Sequence, residues 1–132
     1  MATNLGRLST THNESNVVSY DAGADLTGKE GYAVKFDGSG DIILAAVDGE
    51  EVLGVLLRGA TSGSVVDVAI GGRCDVIVDA ALGVGAIVQA KNGGKVMAVA
   101  ATKFIVGRLL KASGADGDVV EMQVNCKGFY PA

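Results

Sequence analysis

The most constraining feature of this 132-residue sequence is a segment that occurs twice. Residues 52–68 return half a chain later as residues 105–122, so that Gly54 corresponds to Gly107. The second copy carries one extra residue in its turn. A repeat of this length is typical of one supersecondary unit that is used twice.

Upstream of the two copies, the correspondence continues at the same spacing. It carries Ala33–Val34 onto Ala86–Ile87, and the turn at Gly40 onto Gly93. The sequence therefore predicts two related halves between two unrepeated ends. The predicted units are an N-terminal arm, a β-domain with its two halves, and a C-terminal tail: 1–16, 17–124 (halves about 31–72 and 83–124) and 125–132.

The composition indicates the type of core. The chain is 48% hydrophobic but only 5% aromatic, with 20 glycines and one proline, so its core must be built from Val, Ala, Leu and Ile. Val is β-branched and fits a pleated surface better than a helix. We therefore predict an all-β fold, a compact β-barrel or β-sandwich with an internal pseudo-twofold repeat and an extended N-terminal arm.

Apolar or alternating runs separated by Gly-rich turns predict ten strands. The runs at 32–36 and 42–47 predict a hairpin, and Asn92-Gly93 predicts a second one. Segment 73–78 lies between the two copies and has no clear counterpart in the second half. The predicted strands are 17–20, 32–36, 42–47, 52–57, 64–70, 73–78, 86–88, 96–100, 104–110 and 118–124.

The two ends are candidates for binding a partner. The polar arm shows no period, and it is either a frayed terminus or an arm that becomes ordered on a partner. Two of the chain's six aromatic residues lie in the tail, where they either close the domain's own core or anchor a neighbouring subunit. The predicted interface residues are Asn4, Leu5, Arg7, Leu8, His12, Phe129 and Tyr130.

Charge and hydropathy exclude several classes of partner. The net charge is −4 with no basic run, which argues against direct binding of nucleic acid. No apolar run reaches the roughly 18 residues of a membrane span, and no signal peptide is recognisable, which predicts a protein made in a cytosol. Cys74 and Cys126 are therefore expected to be reduced, partly buried thiols.

The sequence offers little for catalysis. Its single histidine, His12, lies in the polar arm, where nothing holds its geometry. Two pairs of carboxylates are candidates for acid–base work: Asp67 with Asp75, and Asp118 with Glu121. On alternating strands such residues usually face solvent, so we predict that the protein is not an enzyme, and an acidic hydrolase is the weakest alternative.

No cofactor motif is complete. Gly38-Ser-Gly40 and Gly83-Val-Gly85 lack the third glycine of a dinucleotide fingerprint. The Asp37–Asp41 loop lacks the Gly and Glu that a calcium loop needs at its sixth and twelfth positions. Two distant cysteines and one histidine do not supply a zinc site. We therefore predict no metal and no cofactor.

A carrier function is the main alternative to a structural one. Lys91 and Lys95 flank the tip of a predicted hairpin, as does the modified lysine of biotinyl and lipoyl domains. The neighbours of Lys91 are Ala90 and Asn92, however, rather than the Met-Lys-Met or Asp-Lys-Ala typical of those domains. The alternative hypothesis is thus a small cytosolic β-barrel carrier or ligand-binding module.

One family resembles this chain over roughly residues 16–124. The matching motifs are Gly31-Tyr-Ala-Val, 52–56, Gly63-Ser-Val-Val-Asp-Val, Gly71, Val106-Gly107 and Gly117-Asp-Val-Val-Glu-Met. In these motifs the chain resembles the capsid cement, or head decoration, proteins of tailed bacteriophages. The family often has Gly-Asp where this chain has Gly85-Ala86, so the second half matches less closely.

The resemblance implies a small β-rich protein on the outside of the capsid that ties neighbouring capsid subunits together, often as a trimer. It predicts the major capsid protein as partner, a homotrimer, and a location on the virion exterior after synthesis in the host cytoplasm. Our first hypothesis is therefore a structural capsid cement protein of a bacteriophage.

Overall fold

A computed structural model describes residues 16–126 and 128–130. These residues form ten β-strands, each at or near a predicted run. The strands are β1 (Val17–Asp21), β2 (Ala33–Phe36), β3 (Ile42–Leu44), β4 (Gly54–Arg58), β5 (Val65–Ala69), β6 (Arg73–Ile77), β7 (Ile87–Ala90), β8 (Val96–Ala98), β9 (Gly107–Leu109) and β10 (Val119–Val124).

The strands build two five-stranded antiparallel sheets. The first has the order β1-β5-β4-β2-β3 and the second the order β6-β10-β9-β7-β8. The all-β prediction is confirmed. Each sheet keeps two edge strands, β1 and β3 in the first sheet and β6 and β8 in the second, so neither sheet closes into a barrel.

The second sheet repeats the first, strand for strand. Strand β6, which had no clear counterpart in the sequence, takes the place that β1 takes in the first sheet. The register repeats as well: Val68 lies opposite Val18 and Leu56, and Met122 lies opposite Cys74 and Leu109. The repeated unit of the structure therefore includes β1 and β6.

The hairpins of the two halves correspond one residue away from the spacing predicted upstream of the copies. Val34 pairs with Gly54, and Val88 pairs with Gly107, so Val34 corresponds to Val88 rather than to Ile87. The β8–β9 connection is one residue shorter than the β3–β4 connection, and this changes the offset along the chain. In the same way Gly40 corresponds to Gly94 rather than to Gly93, and both have positive φ, 89° and 99°.

Gly54 and Gly107 are required by the same close approach in each half. A Cβ at Gly54 would collide with the carbonyl of Ala69 on the neighbouring strand, and one at Gly107 with the carbonyl of Gln123. Neither glycine has positive φ, so the requirement is for space and not for an unusual backbone conformation. The glycines that define the repeat in the sequence thus allow neighbouring strands to approach closely.

The two faces of each sheet have different roles. We call face A the face that carries Val34, Leu56 and Val68 in the first sheet, and face B the opposite one. Face A of the first sheet forms a core within its own half: Ala22, Leu26, Val34, Ile42, Leu56, Val66 and Val68. Face A of the second sheet forms the other core, which includes Val76, Val88, Leu109, Val120 and Met122.

The second core is shared by both halves. It also contains residues from face B of the first sheet, among them Ala33, Val55 and Ala69, which are at most 3% exposed. Val52 and Ala45 from the first half belong to the same cluster. The first half therefore buries face A in its own core and the part of face B around Val55 against the second half, while Val65 and the face-B residues of β1 remain exposed.

Backbone hydrogen bonds join the halves along the same contact, which we call the seam. Gly31 accepts a hydrogen bond from Ile77 at 3.0 Å, and Ala33 donates one to Gly94 at 2.6 Å. Gly49 donates to the carbonyl of Ala90 at 2.7 Å. The seam thus docks residues 31–49 of the first half onto the end of β6 and the β7–β8 hairpin.

Candidate interaction surfaces

Two of the four candidate catalytic carboxylates, Asp67 and Asp118, serve structural roles. Asp67 accepts hydrogen bonds from Ser19 at 2.7 Å and from Arg58 at 3.0 Å. The hydrogen bond from Ser19, followed by that from Arg58, keeps the pKa of Asp67 below its ordinary value. A general acid needs the opposite shift. Asp118 caps its own turn by accepting hydrogen bonds from the backbone of Gly114 and Ala115.

Asp75 lies directly opposite Glu121 on face B of the second sheet. Arg73 approaches Glu121 to 3.6 Å, with most of the arginine side chain exposed. The register thus pairs Asp75 with Glu121, whereas the sequence interpretation had paired Asp75 with Asp67 and Glu121 with Asp118. This is a solvated charge pattern on a sheet surface, a setting in which ion pairs contribute little to stability.

The Asp37–Asp41 loop is held by its own carboxylate. Asp37 accepts backbone hydrogen bonds from Ser39 at 2.7 Å and Asp41 at 3.1 Å, which is the geometry of a turn-stabilising side chain. Within residues 16–126 and 128–130, no group of three His, Cys, Asp or Glu side chains is placed to hold a metal ion.

The two cysteines are free thiols at the edge of the shared core. Burial, with a smaller contribution from Asp75, raises the pKa of Cys74 to about 11. Burial, followed by the nearby Cys74, raises the pKa of Cys126 to about 12. A reactive cysteine needs a lowered pKa, so neither thiol has the environment of a nucleophile.

The hairpin lysines are engaged in ion pairs. Lys95 contacts Asp116 at 2.8 Å, and Lys91 approaches Asp79 at 3.4 Å. The hydrogen bond to Asp116 raises the pKa of Lys95. The hairpin tip also packs in the seam, where the backbone of Asn92 donates to Asp48 at 2.8 Å. A carrier lysine must reach away from its domain, and this hairpin is held against the first half instead.

An aromatic pair is exposed at one end of face A of the first sheet. Tyr20 on β1 and Phe36 on β2 meet edge to face, with ring centroids 4.9 Å apart. They remain 38% and 42% exposed. In the second sheet the corresponding residues are Val76 and Ala90, which are fully buried. We call this pair the aromatic edge.

A cavity opens on face B of the second sheet, with a volume of about 260 Å³. Its lining residues are Ile87, Ile105, Gly107, Arg108, Gln123 and Asn125. By register, Ile87, Arg108 and Gln123 correspond to Ala33, Val55 and Ala69 of the first sheet. The cavity, which we call the face-B pocket, therefore lies on the second sheet at the positions that form the seam in the first sheet.

The C-terminal tail folds back onto the second half. Phe129 forms an isolated antiparallel bridge with Phe104, and their ring centroids are 4.9 Å apart. Tyr130 accepts a hydrogen bond from Thr102 and donates one to Lys103, both at 2.8 Å. Phe129 stays 50% exposed. The tail thus contacts its own domain while presenting half of one ring to solvent, and its predicted role as a subunit anchor stays a prediction.

The other predicted interface residues, Asn4, Leu5, Arg7, Leu8 and His12, lie outside the described residues. Sequence reasoning did not identify the aromatic edge or the face-B pocket. One signal was present, because Phe36 stands at the position of a small Ala90 in the repeat. This signal could be detected only with the correct hairpin register, and the constant spacing of the repeat predicts a register that is wrong by one residue.

These features define a small β-domain with two repeated sheets and exposed aromatic surfaces. Among solved structures, the chain is similar to the N base of the head fiber gp8.5 in bacteriophage phi29, with a TM-score of 0.62. The match covers 82% of this chain and 92% of that chain at 14% identity, so it shows a shared fold. No family of known proteins and no curated protein matches the sequence.

Among the described residues, no helix is long and apolar enough to cross a membrane.

Proposed function

We propose that this protein is a non-enzymatic structural component of a bacteriophage head. In this role it binds the exterior of the assembled capsid as a cement protein, with the major capsid protein as partner and a homotrimer as the binding unit. The observation that carries the proposal is the fold shared with the phi29 head fiber base over 82% of this chain and 92% of that chain.

The chemistry of the described surfaces supports binding rather than catalysis. Asp67 and Asp118 accept structural hydrogen bonds, and the thiols have raised pKa values. The exposed aromatic rings of the edge and the tail are the residue type enriched at interface hot spots. A protein that binds only the assembled shell stabilises that shell by mass action.

Sedimentation tests this function directly. The full-length chain is mixed with empty heads of the phage that encodes it, and separately with unassembled major capsid protein. We expect the chain to pellet with the heads and to remain in the supernatant without them. A chain that stays in the supernatant at saturating head concentration would contradict the proposal.

Two variants assign the predicted interface. Deleting residues 1–15 keeps Asn16, whose carbonyl accepts a hydrogen bond from Ile70 at 2.8 Å, so the domain should fold. We expect this deletion to weaken head binding by tenfold or more, and unchanged binding would remove the arm from the interface. Phe129→Ser tests the tail, with the exposed Val84→Ser as its matched control.

A further inference from the structure

The seam shows how one half of this fold binds another. Inside the chain, face B of the first sheet contributes Ala33 and Val55 to the core that contains Val76 and Ala90 of the second sheet. All four side chains in this cluster are small and fully buried. The seam is therefore a face-B to face-A contact between successive halves.

Each side of the seam has an exposed counterpart in the other half. The counterpart of face B is the face-B pocket, where Ile87 and Arg108 stand at the positions of Ala33 and Val55. The other side of the seam is face A of the second sheet, at Val76 and Ala90. Its counterpart in the first sheet is the aromatic edge. One chain thus exposes both surfaces, the face-B pocket on its second half and the aromatic edge on its first half.

The two exposed surfaces have chemistry that can combine, an arginine-lined cavity and a pair of aromatic rings. Where the shared core has Ala33, Val55, Val76 and Ala90, the two exposed surfaces have a cavity of about 260 Å³ and two large rings. Arg108 lines the cavity, and Tyr20 and Phe36 supply the exposed rings of the aromatic edge. Arginine packs favourably on aromatic faces.

We propose that the face-B pocket of one copy binds the aromatic edge of a second copy. The contact repeats between chains the seam that joins the halves within each chain. It is a head-to-tail contact, the kind that builds closed rings or open chains according to the rotation it imposes. The inference deepens the proposed function, on which its biological setting rests, by naming the surfaces through which copies associate.

The C-terminal tail limits the size of this contact. In the seam, the N–H of Gly49 donates to Ala90, and Thr102 stands at the corresponding position of the second half. Thr102 donates instead to Tyr130 of its own tail, and Ile105 donates to Gly128 at 2.9 Å. In the second half the tail thus occupies a hydrogen-bond position that belongs to the seam in the first half. We therefore expect the contact between copies to be smaller than the seam, and the association to be reversible and dependent on protein concentration.

Sedimentation velocity of the full-length chain without heads tests the inference. Across a concentration series we expect reversible association, weakened tenfold or more by Phe36→Ala on the edge and by Arg108→Glu in the pocket. Val119→Ser, which also removes an exposed apolar side chain, is the matched control and should associate as the parent chain does. A parent chain that is monomeric throughout the series, or an association that neither variant weakens, would overturn the inference.

Mixing the two variants gives the sharpest result. Phe36→Ala keeps an intact pocket and Arg108→Glu keeps an intact edge, so a mixture has one functional contact for each pair of chains. We expect each variant alone to be monomeric and the mixture to form heterodimers that do not grow further. Rescue also shows that both variants are folded, and a mixture that stays monomeric would refute the head-to-tail contact.

The outcome is separable from that of the capsid test. Association without head binding would leave the pocket-to-edge contact in place and remove the capsid function. Head binding by a chain that stays monomeric without heads would support the capsid function and overturn the pocket-to-edge contact.

Discussion

The two halves of this protein share strand order and register but use face B differently. In the first half the part of face B that carries Ala33, Val55 and Ala69 is buried against the second half. In the second half the same positions carry Ile87, Arg108 and Gln123, and they line an open pocket. The comparison teaches that topology sets where a face lies, while the side chains on that face decide whether it is covered.

The largest difference in stability between the two halves is expected when the residues of the corresponding pair Val55 and Arg108 are exchanged. Val55→Arg places an unpaired charge in the shared core, and we expect it to lower the free energy of unfolding by about 3–5 kcal/mol. Arg108→Val changes an exposed position, and we expect a change within about 0.5 kcal/mol. Urea denaturation of both variants measures the difference.

Val55→Ala serves as the control for the exchange, because it removes volume from the seam without adding charge. Equal effects of Val55→Arg and Arg108→Val would show that the two faces are in the same environment, contrary to the buried and exposed assignments above.

Glycine substitutions test where the halves should behave alike. Gly54→Ala and Gly107→Ala each drive a Cβ into a backbone carbonyl of the neighbouring strand. We expect each to cost about 3 kcal/mol, because backbone in a paired sheet cannot move aside cheaply. Gly38→Ala is the control, since a Cβ there has nothing within 4 Å. A large difference between Gly54→Ala and Gly107→Ala in thermal denaturation would show that the repeat differs in its strand spacing.

Glu50 gives a smaller effect that depends on pH. It accepts hydrogen bonds from Lys35 at 2.8 Å and from the backbone of Ala46 and Val47 at 2.6 and 2.9 Å. Burial disfavours the charged form of Glu50, but these hydrogen bonds outweigh burial and lower its pKa from the ordinary 4.5. A lowered pKa in the folded state means that the stabilisation is complete above the unfolded-state value and is lost as pH falls through the folded-state value.

We therefore expect Glu50→Gln to cost about 2 kcal/mol at pH 7 and progressively less below pH 4.5. Glu121→Gln removes the same charge from a more exposed ion pair, and it should cost under about 1 kcal/mol. Chemical denaturation at pH 7 and pH 3 measures both variants. A cost for Glu50→Gln that does not change between these pH values would contradict the assigned role of the carboxylate.

Much of the fold was predictable because its signals are local. The apolar run before Leu57 and the alternation of Val66, Val68 and Ile70 predicted β4 and β5, and Asn92-Gly93 predicted the β7–β8 turn. The hairpin register was displaced by one residue because the β8–β9 connection is one residue shorter than the β3–β4 connection. A constant spacing cannot detect such a change when the neighbouring residues are all small and apolar.

The candidate surfaces were less predictable than the strands. Phe129 and Tyr130 were identified by their rarity, whereas Tyr20 and Phe36 were not identified, because they meet across two strands that are not neighbours in their sheet. The face-B pocket likewise combines residues from β7, β9 and β10.

Local pattern was sufficient for the strands and for the correspondence of Gly54 with Gly107, because each depends on the alternation and size of neighbouring side chains. Long-range contacts decided that β6 begins the second sheet, that face B is partly covered in the first half, and that the tail lies beside residues 102–105. The physical reason is that alternation separates the two faces of a strand but does not specify what covers them. The repeated segment therefore forms the same pair of strands in both halves but presents a different surface in each.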